Sequence, residues 1–232
     1  MKLAIALSLT AFTAFVTSAA EINTLTAAEK DAHWKLLFDG KTLNGWRGYT
    51  LKGLPEAGWA IENGLLKTVP KVKGKELITE QKFGDFELSW EWRIAEGGNN
   101  GIKYFVSEER TKAPGPEYQM LDDAKHPDGA RGGSHQTAAF YDVLPPAADK
   151  PLKKPGEWNA SRIVAKGNHV EHWLNGKNVL TFELDSPEVK AGLAKSKFKG
   201  VSDFGTHIRG HIMLTYHNDE CWYRSIKVRE LK

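Results

Sequence analysis

The chain has 232 residues, with 32 Lys and Arg against 29 Asp and Glu, and a formal net charge of +3. The basic residues are scattered apart from one cluster at Lys190–Lys199, which excludes the concentrated stripe of a nucleic-acid-binding surface. A single cysteine, Cys221, excludes an internal disulfide, so a hydrophobic core must hold the fold together.

Residues 1–20 carry Lys2, an apolar run from Leu3 to Val16 and the small-residue ending Thr17-Ser18-Ala19-Ala20. This is the pattern of a secretory signal peptide. The run is too short in apolar content for a membrane anchor, and no Cys follows it for lipid attachment. Cleavage leaves residues 21–232 as one domain, expected in the periplasm or outside the cell.

Glu21 to Lys35 is expected to hold a short helix capped by Thr24 or Thr26. Trp34 to Phe38 reads as a short strand. Asn63-Gly64 between two apolar runs predicts a hairpin of Trp59–Glu62 with Leu65–Thr68. Glu76 to Thr79 is a further short strand. From Phe86 to Ile94 large apolar residues alternate with Glu87, Ser89, Glu91 and Arg93, predicting a long strand with one buried face. Gly97 to Gly101 reads as a turn, followed by strands at Ile102–Val106 and Glu117–Leu121. The polar stretch Asp122–Gln136 is a long loop of the kind that usually carries function. Strands follow at Thr137–Val143, Trp158–Ala165, His169–Leu174 and Asn178–Leu184. Ser186 caps the one convincing long helical window, to Phe198. Strands at Gly210–Tyr216 and Tyr223–Leu231 close the chain. With no βα alternation, no repeat and no linker, the pattern predicts an all-β, two-sheet antiparallel jelly-roll sandwich.

The sequence has no phosphate-binding Gly loop, nucleophile elbow or metalloprotease helix. The Glu-x-Asp-x-x-Glu run of laminarinase-type sandwich glycosidases is absent, and Glu87 and Glu91 read as a salt-bridged strand face. The denser constellation is Glu117, Gln119 and Asp122, followed by His126, His135 and Tyr141. Alternation puts Glu117 and Gln119 on one face, where their polar groups need partners or a ligand; pairing of Glu117 with Lys103 or Arg162 is the plainer alternative. His169, His172, His207, His211 and His217 add titratable groups, but none has zinc-ligand spacing.

LFDGKTLNGW at Leu37, DFELSWEWRI at Asp85, GGNNGIKYFV at Gly97, GPEYQMLDD at Gly115, GEWNASRI at Gly156, HWLNGKNV at His172 and GHIMLTYHNDECWYRSIKVREL at Gly210 together resemble the 3-keto-disaccharide hydrolase domain family, over about residues 34–231. The resemblance implies a concanavalin-like jelly roll acting on small carbohydrates whose C3 hydroxyl is oxidised to a ketone. Such a ketone acidifies C2–H, so a base can start β-elimination of the C1 substituent, and water can add afterwards. On that footing the base is His135 first and His217 second. Tyr141 is the acid; Glu117, Gln119 and Asp122 orient the sugar or hold a cation, Glu117 counting among the catalytic groups, and Asn100 binds the sugar. Lys103, Arg47 or Arg224 stabilises the enolate, and Trp46 or Trp158 is the stacking surface. A divalent cation could do the polarising, although no ligand set in the sequence calls for one. The competing expectation is a non-catalytic carbohydrate-binding module on the same fold.

Overall fold

Residues 21–110, 113–201 and 203–232 are described in the computed structural model; the expected signal peptide at 1–20 lies outside them. The first helix, α1 (Ala27–Asp31), is fixed by a reciprocal cap: Glu29 N–H donates to Thr26 Oγ1, and Thr26 N–H donates to the Glu29 carboxylate. Strands β1 (Lys35–Leu36), β2 (Trp46–Gly48), β3 (Trp59–Glu62), β4 (Leu65–Thr68), β5 (Leu77–Thr79), β6 (Phe86–Ile94), β7 (Asn99–Val106) and β8 (Glu117–Leu121) follow. The short helix α2 (Pro127–Ala130) and a 3-10 turn at Gly133–His135 organise the predicted loop. Strands β9 (Asn159–Lys166), β10 (His169–Leu174) and β11 (Lys177–Glu183) precede α3 (Pro187–Lys195), whose N-cap Ser186 accepts from Val189 N–H. Strands β12 (His211–Leu214) and β13 (Cys221–Glu230) end the fold.

The strands form two antiparallel sheets. The larger runs β11-β10-β9-β6-β13-β4-β3, with β1 beside β13, and the smaller runs β2-β5-β12-β7-β8. The Asn63-Gly64 hairpin forms as predicted, with both residues at positive φ. Between the sheets, Phe86, Leu88, Trp90, Trp92 and Ile94 of β6 meet Ile102 and Tyr104 of β7 and Tyr118 and Met120 of β8, all buried. Each such side chain contributes about 1.5–3 kcal/mol by leaving water. The polar ends of the tryptophans are satisfied inside the core: Trp92 Nε1 donates to Ser161 Oγ at 2.9 Å.

Two departures from simple alternation aim the site. In β7 the pairing slips so that Tyr104 and Phe105 together oppose Ile212, with Phe105 at φ 51°. This bulge keeps both rings in the core and turns Lys103 and Val106 outward. The second departure corrects the expected strand Thr137–Val143. Ala138 and Asp142 sit at φ 69° and 63°, which breaks an extended run. The segment clips to the edge of β8, with Tyr141 N–H donating to Glu117 C=O at 3.0 Å. The Gly97-Gly98 turn also differs from a hairpin, because β6 and β7 belong to different sheets and the chain crosses the sandwich there.

Candidate active site on the outer face of the smaller sheet

With Tyr118 and Met120 of β8 in the core, Glu117 and Gln119 must face outward from the smaller sheet. The register sets Arg47, Ile78, Met213, Lys103 and Glu117 side by side across its five strands. The two ends of this row differ. At the β2 end, Arg47 donates to both oxygens of Glu108 at 2.8 and 2.6 Å and to Leu51 C=O at 3.0 Å. The Arg47 hydrogen bonds hold the Glu108 carboxyl down to about 2. Ile78, Val106 and Met213 are buried there against Tyr49. That end is closed, and Arg47 is committed to Glu108 rather than free for a sugar.

At the β8 end the polar groups stand apart. Glu117 is only 6 % exposed. Its Oε2 is 3.6 Å from Lys103 Nζ and its Oε1 is 4.0 Å from His217 Nε2, contacts too long for hydrogen bonds. The carboxylate lies over Gly101, where an added Cβ would come within 2.3 Å of Glu117 Oε1. Only glycine leaves that space. Beside it Gln119, 2 % exposed, spends its side-chain carbonyl on Met120 N–H at 3.2 Å. The His217 side chain keeps 41 % of its surface. Even so, protein crowding lowers its pKa from the ordinary value; Glu117 pulls it up and Lys103 pushes it down. The ring is therefore a free base at neutral pH.

The loop after β8 supplies a second group of polar residues. Tyr141 OH donates to Asp128 Oδ2 at 2.7 Å. Burial and that carboxylate raise the phenol above its usual range. Asp128 meets a burial penalty of its own, but the hydrogen bonds from Tyr141 and Arg131 outweigh it and its pKa is lowered. His135 stacks edge-on to Tyr141, ring centres 5.5 Å apart, and points Nε2 at Asp142 Oδ1, 2.9 Å away but off the line of a good hydrogen bond. Asp142 also accepts from Lys197 N–H at 2.7 Å. Lys197 Nζ lies 4.3 Å from the Tyr141 ring centre. Burial lowers the Lys197 pKa; Glu117 acts against this and Lys103 adds to it.

The structure thus brings together Glu117, Gln119, Lys103, His217, Tyr141 and His135. It places the other candidates elsewhere. Trp46 is in the core, its Nε1 donating to Leu37 C=O at 2.5 Å. Asn100 is fully buried, and its side-chain oxygen accepts from Tyr223 OH, Thr215 OH and Gly101 N–H. Asp122 accepts three backbone N–H groups, from Gly97, Ala124 and Lys125, which makes it the brace of its loop. Arg224 and Trp158 lie on the outer face of the larger sheet, across the sandwich from Glu117. Arg224 donates to Glu91 and stacks 4.0 Å over Trp158. Arg162 and Arg229 likewise belong to that face, both donating to Glu87 at 2.7 Å. His207 pairs with Asp85, and His211 with the Thr79 carbonyl. Among the described residues no group of three or more His, Cys, Asp or Glu is arranged to hold a metal ion.

Sequence reasoning missed Asp128, Asp142 and Lys197. The two aspartates lay in or beside a loop whose path has no periodic signal. Lys197 fell inside the helical window, but the helix ends at Lys195, where Ser196 turns extended.

Two packed antiparallel sheets with the site on the outer face of the smaller one define a concanavalin-like jelly-roll sandwich. The chain belongs to the 3-keto-alpha-glucoside-1,2-lyase-like domain family, whose model matches residues 33–229. A 3-keto-disaccharide hydrolase of Bacteroides thetaiotaomicron is 34% identical, over 92% of this chain and 83% of that protein. A crystal structure of a candidate glycosyl hydrolase from Parabacteroides distasonis superposes with a TM-score of 0.80 at 30% identity, covering 91% of this chain and 100% of the other. A second from that organism gives 0.67 at 28% identity, covering 85% and 99%.

Proposed function

We propose that this protein is an exported glycoside-cleaving enzyme that acts on 3-keto-glycosides by β-elimination followed by hydration. The observation that carries the reading is the setting of Glu117, between a histidine held neutral and a lysine. The two glycosidase carboxylates, one an acid and one a base or nucleophile, are not the pattern here. Asp128 and Asp142, the other acids of the cluster, are bound to Tyr141 and His135. Family membership and the 3-keto-disaccharide hydrolase relative support the same substrate class.

In this mechanism His217 Nε2 takes the proton from C2. The C–H electron pair forms C2=C3 and moves the carbonyl pair onto the C3 oxygen. Collapse of that enolate restores the ketone, forms C1=C2 and expels the C1 alkoxide. An acid protonates the leaving oxygen. Water then adds at C1 and a proton at C2, so the sum is hydrolysis with no net redox change. His217 precedes His135 as base here, because the His135 ring nitrogen Nε2 is turned to Asp142 while His217 stays accessible. Glu117, whose Oε1 lies 4.0 Å from His217 Nε2, favours the imidazolium that forms through its charge. Gln119 and Lys103 line the position of the sugar oxygens. Tyr141 reaches the leaving oxygen only by exchanging its bond to Asp128.

The binding-module alternative needs open aromatic faces. On the larger sheet Trp158, Trp173 and Trp34 are instead covered by Arg224, Arg162 and Arg229, at 4.0, 4.0 and 5.1 Å. The test is incubation of purified protein with 3-keto-trehalose and 3-keto-glucosides, with and without a chelator. Release of 3-ketoglucose or its 1,2-ene supports the reading, and inertness toward all of them would overturn it. A mature N-terminus at Glu21 on the secreted protein would support export.

A further inference from the structure

Two lysines approach the Glu117 region, and they are not equivalent. Lys103 Nζ, 3.6 Å from Glu117 Oε2, already has a counter-charge. Lys197 Nζ has no carboxylate oxygen within 4.0 Å among the described residues; its near neighbours are the rings of Tyr141 at 4.3 Å and Phe198 at 5.2 Å. An ammonium carries three donors and accepts nothing. Ring faces offer it a weak attraction but no hydrogen-bond acceptor. Its backbone is fixed, because Lys197 N–H is held by Asp142 at 2.7 Å and Phe198 N–H by Ser196 Oγ at 3.0 Å. Its ammonium lies 4.3 Å from the ring of Tyr141, whose own N–H is bound to Glu117 C=O at the β8 edge, and Glu117, Lys103, Asp142 and Asp128 are the charges that act on it.

We propose that Lys197 is a catalytic residue of this site, whose ammonium donates to the C3 oxygen of the bound sugar and stabilises the enolate that forms when C2–H is removed. The inference rests on the elimination reading of the site. A group meant for a charge that develops during reaction must not be neutralised beforehand. Lys103 is neutralised by Glu117 and Lys197 is not. The sequence-based expectation of Lys103 as enolate stabiliser is replaced accordingly: Lys103 tunes Glu117 and His217, and Lys197 meets the oxyanion. No covalent bond to lysine is formed, and the proton stays on nitrogen while the C2 proton goes to His217.

The experiment uses wild-type protein, Lys197→Met and Lys197→Arg. With a 3-keto-glucoside, Lys197→Met should lower kcat by about 100-fold or more, the usual effect of deleting one oxyanion donor. KM, and inhibition by the unoxidised parent glucoside, which has no ketone, should stay within about twofold on the same argument. Lys197→Arg should recover part of kcat. A second substrate separates the steps. A 3-keto sugar lacking a C1 leaving group should exchange its C2 hydrogen for deuterium in D2O with wild-type protein, and Lys197→Met should slow that exchange in parallel with kcat. Normal exchange with failed cleavage would assign Lys197 to the leaving group instead and overturn the proposal, as would an unchanged kcat. A shift of the melting temperature accompanying the loss, with no rescue by arginine, would reduce Lys197 to a structural role and also overturn it. Failure of wild-type protein on every 3-keto-glucoside is a separate outcome that removes the elimination reading itself.

Discussion

His217 is the group whose charge the site controls most directly. Its pKa is pushed down mainly by burial, pulled up by Glu117 and pushed down again by Lys103. If it takes the C2 proton, kcat/KM must rise with pH through its pKa, and the acidic limb must lie below the roughly 6.5 of a free imidazole. The sign of two substitutions follows. Glu117→Gln removes the charge that favours imidazolium, so the limb should move to lower pH while kcat falls. Lys103→Met removes a charge that disfavours it, so the limb should move to higher pH. Rate profiles of the three proteins between pH 4 and 8 check this, and a limb that neither substitution moves would exclude His217 as the base. His217→Ala should lower kcat by about 100- to 10,000-fold. Glu117 and Gln119 were legible in the sequence because strand parity alone turns them away from Tyr118 and Met120. Asn100 and Trp46 were not, since parity does not tell which face of a given strand the core covers. Lys197 was hidden beside Lys190, Lys195 and Lys199 in a stretch that reads as one helix.

At the scale of elements, β7 and the loop after β8 do the positioning. The carboxylate of Glu117 occupies the place a side chain at Gly101 would take. Gly101→Ala should therefore displace the carboxylate, the mobile end of a side chain, rather than the backbone. The expected outcome is a kcat loss of about tenfold or more, in line with a small misplacement of a catalytic group. The melting temperature should fall by only a few degrees, about 1 kcal/mol in a domain of this size. Equal activity would show that Glu117 need not lie there. Asp122 is the opposite case. It takes two N–H groups of the turn that leads into α2, those of Ala124 and Lys125, and the Gly97 N–H of the β6–β7 crossing, and its loss leaves all three without their charged acceptor. Asp122→Ala should cost on the order of 2–3 kcal/mol in urea unfolding, and should loosen the segment carrying Asp128 and His135. The strand boundaries at Phe86–Ile94, Glu117–Leu121 and His169–Leu174 could be read from alternation, and the Asn63-Gly64 turn from its residues. The irregular run at Thr137–Val143 could not, because Ala138, the first of its two left-handed residues, is not of a type that announces such a turn, and Asp142 alone sits in an otherwise apolar run.

For the whole molecule, the pH response of stability should centre on the core rather than the site. His172 of β10 is fully buried between the sheets. Its Nδ1–H donates to Ala138 C=O at 3.0 Å, so Nε2 must accept from Tyr104 OH, also at 3.0 Å. The neutral ring thereby ties the larger sheet to β7 of the smaller one and to the segment leading to Tyr141. Burial lowers its pKa to about 4. The unfolded chain takes up that proton near 6.5, whereas the folded chain does not until about 4. The unfolded state therefore binds more protons across this window, and stability falls as pH drops through it, levelling out below the folded value. The contribution of this one residue is on the order of 3 kcal/mol, from about 2.5 pH units at 1.36 kcal/mol each. His172→Gln retains one donor and one acceptor but cannot be protonated. It should be less stable than wild type at pH 7, where the fitted imidazole is intact. The gap between the two should close by about 3 kcal/mol as pH falls to 4. Urea unfolding at pH 7, 5.5 and 4.5 measures the gap, and parallel curves would mean that the folded protein takes up this proton as readily as the unfolded chain. Because Ala138 lies three residues from Tyr141, acid should loosen the sandwich and the Tyr141 side of the site together.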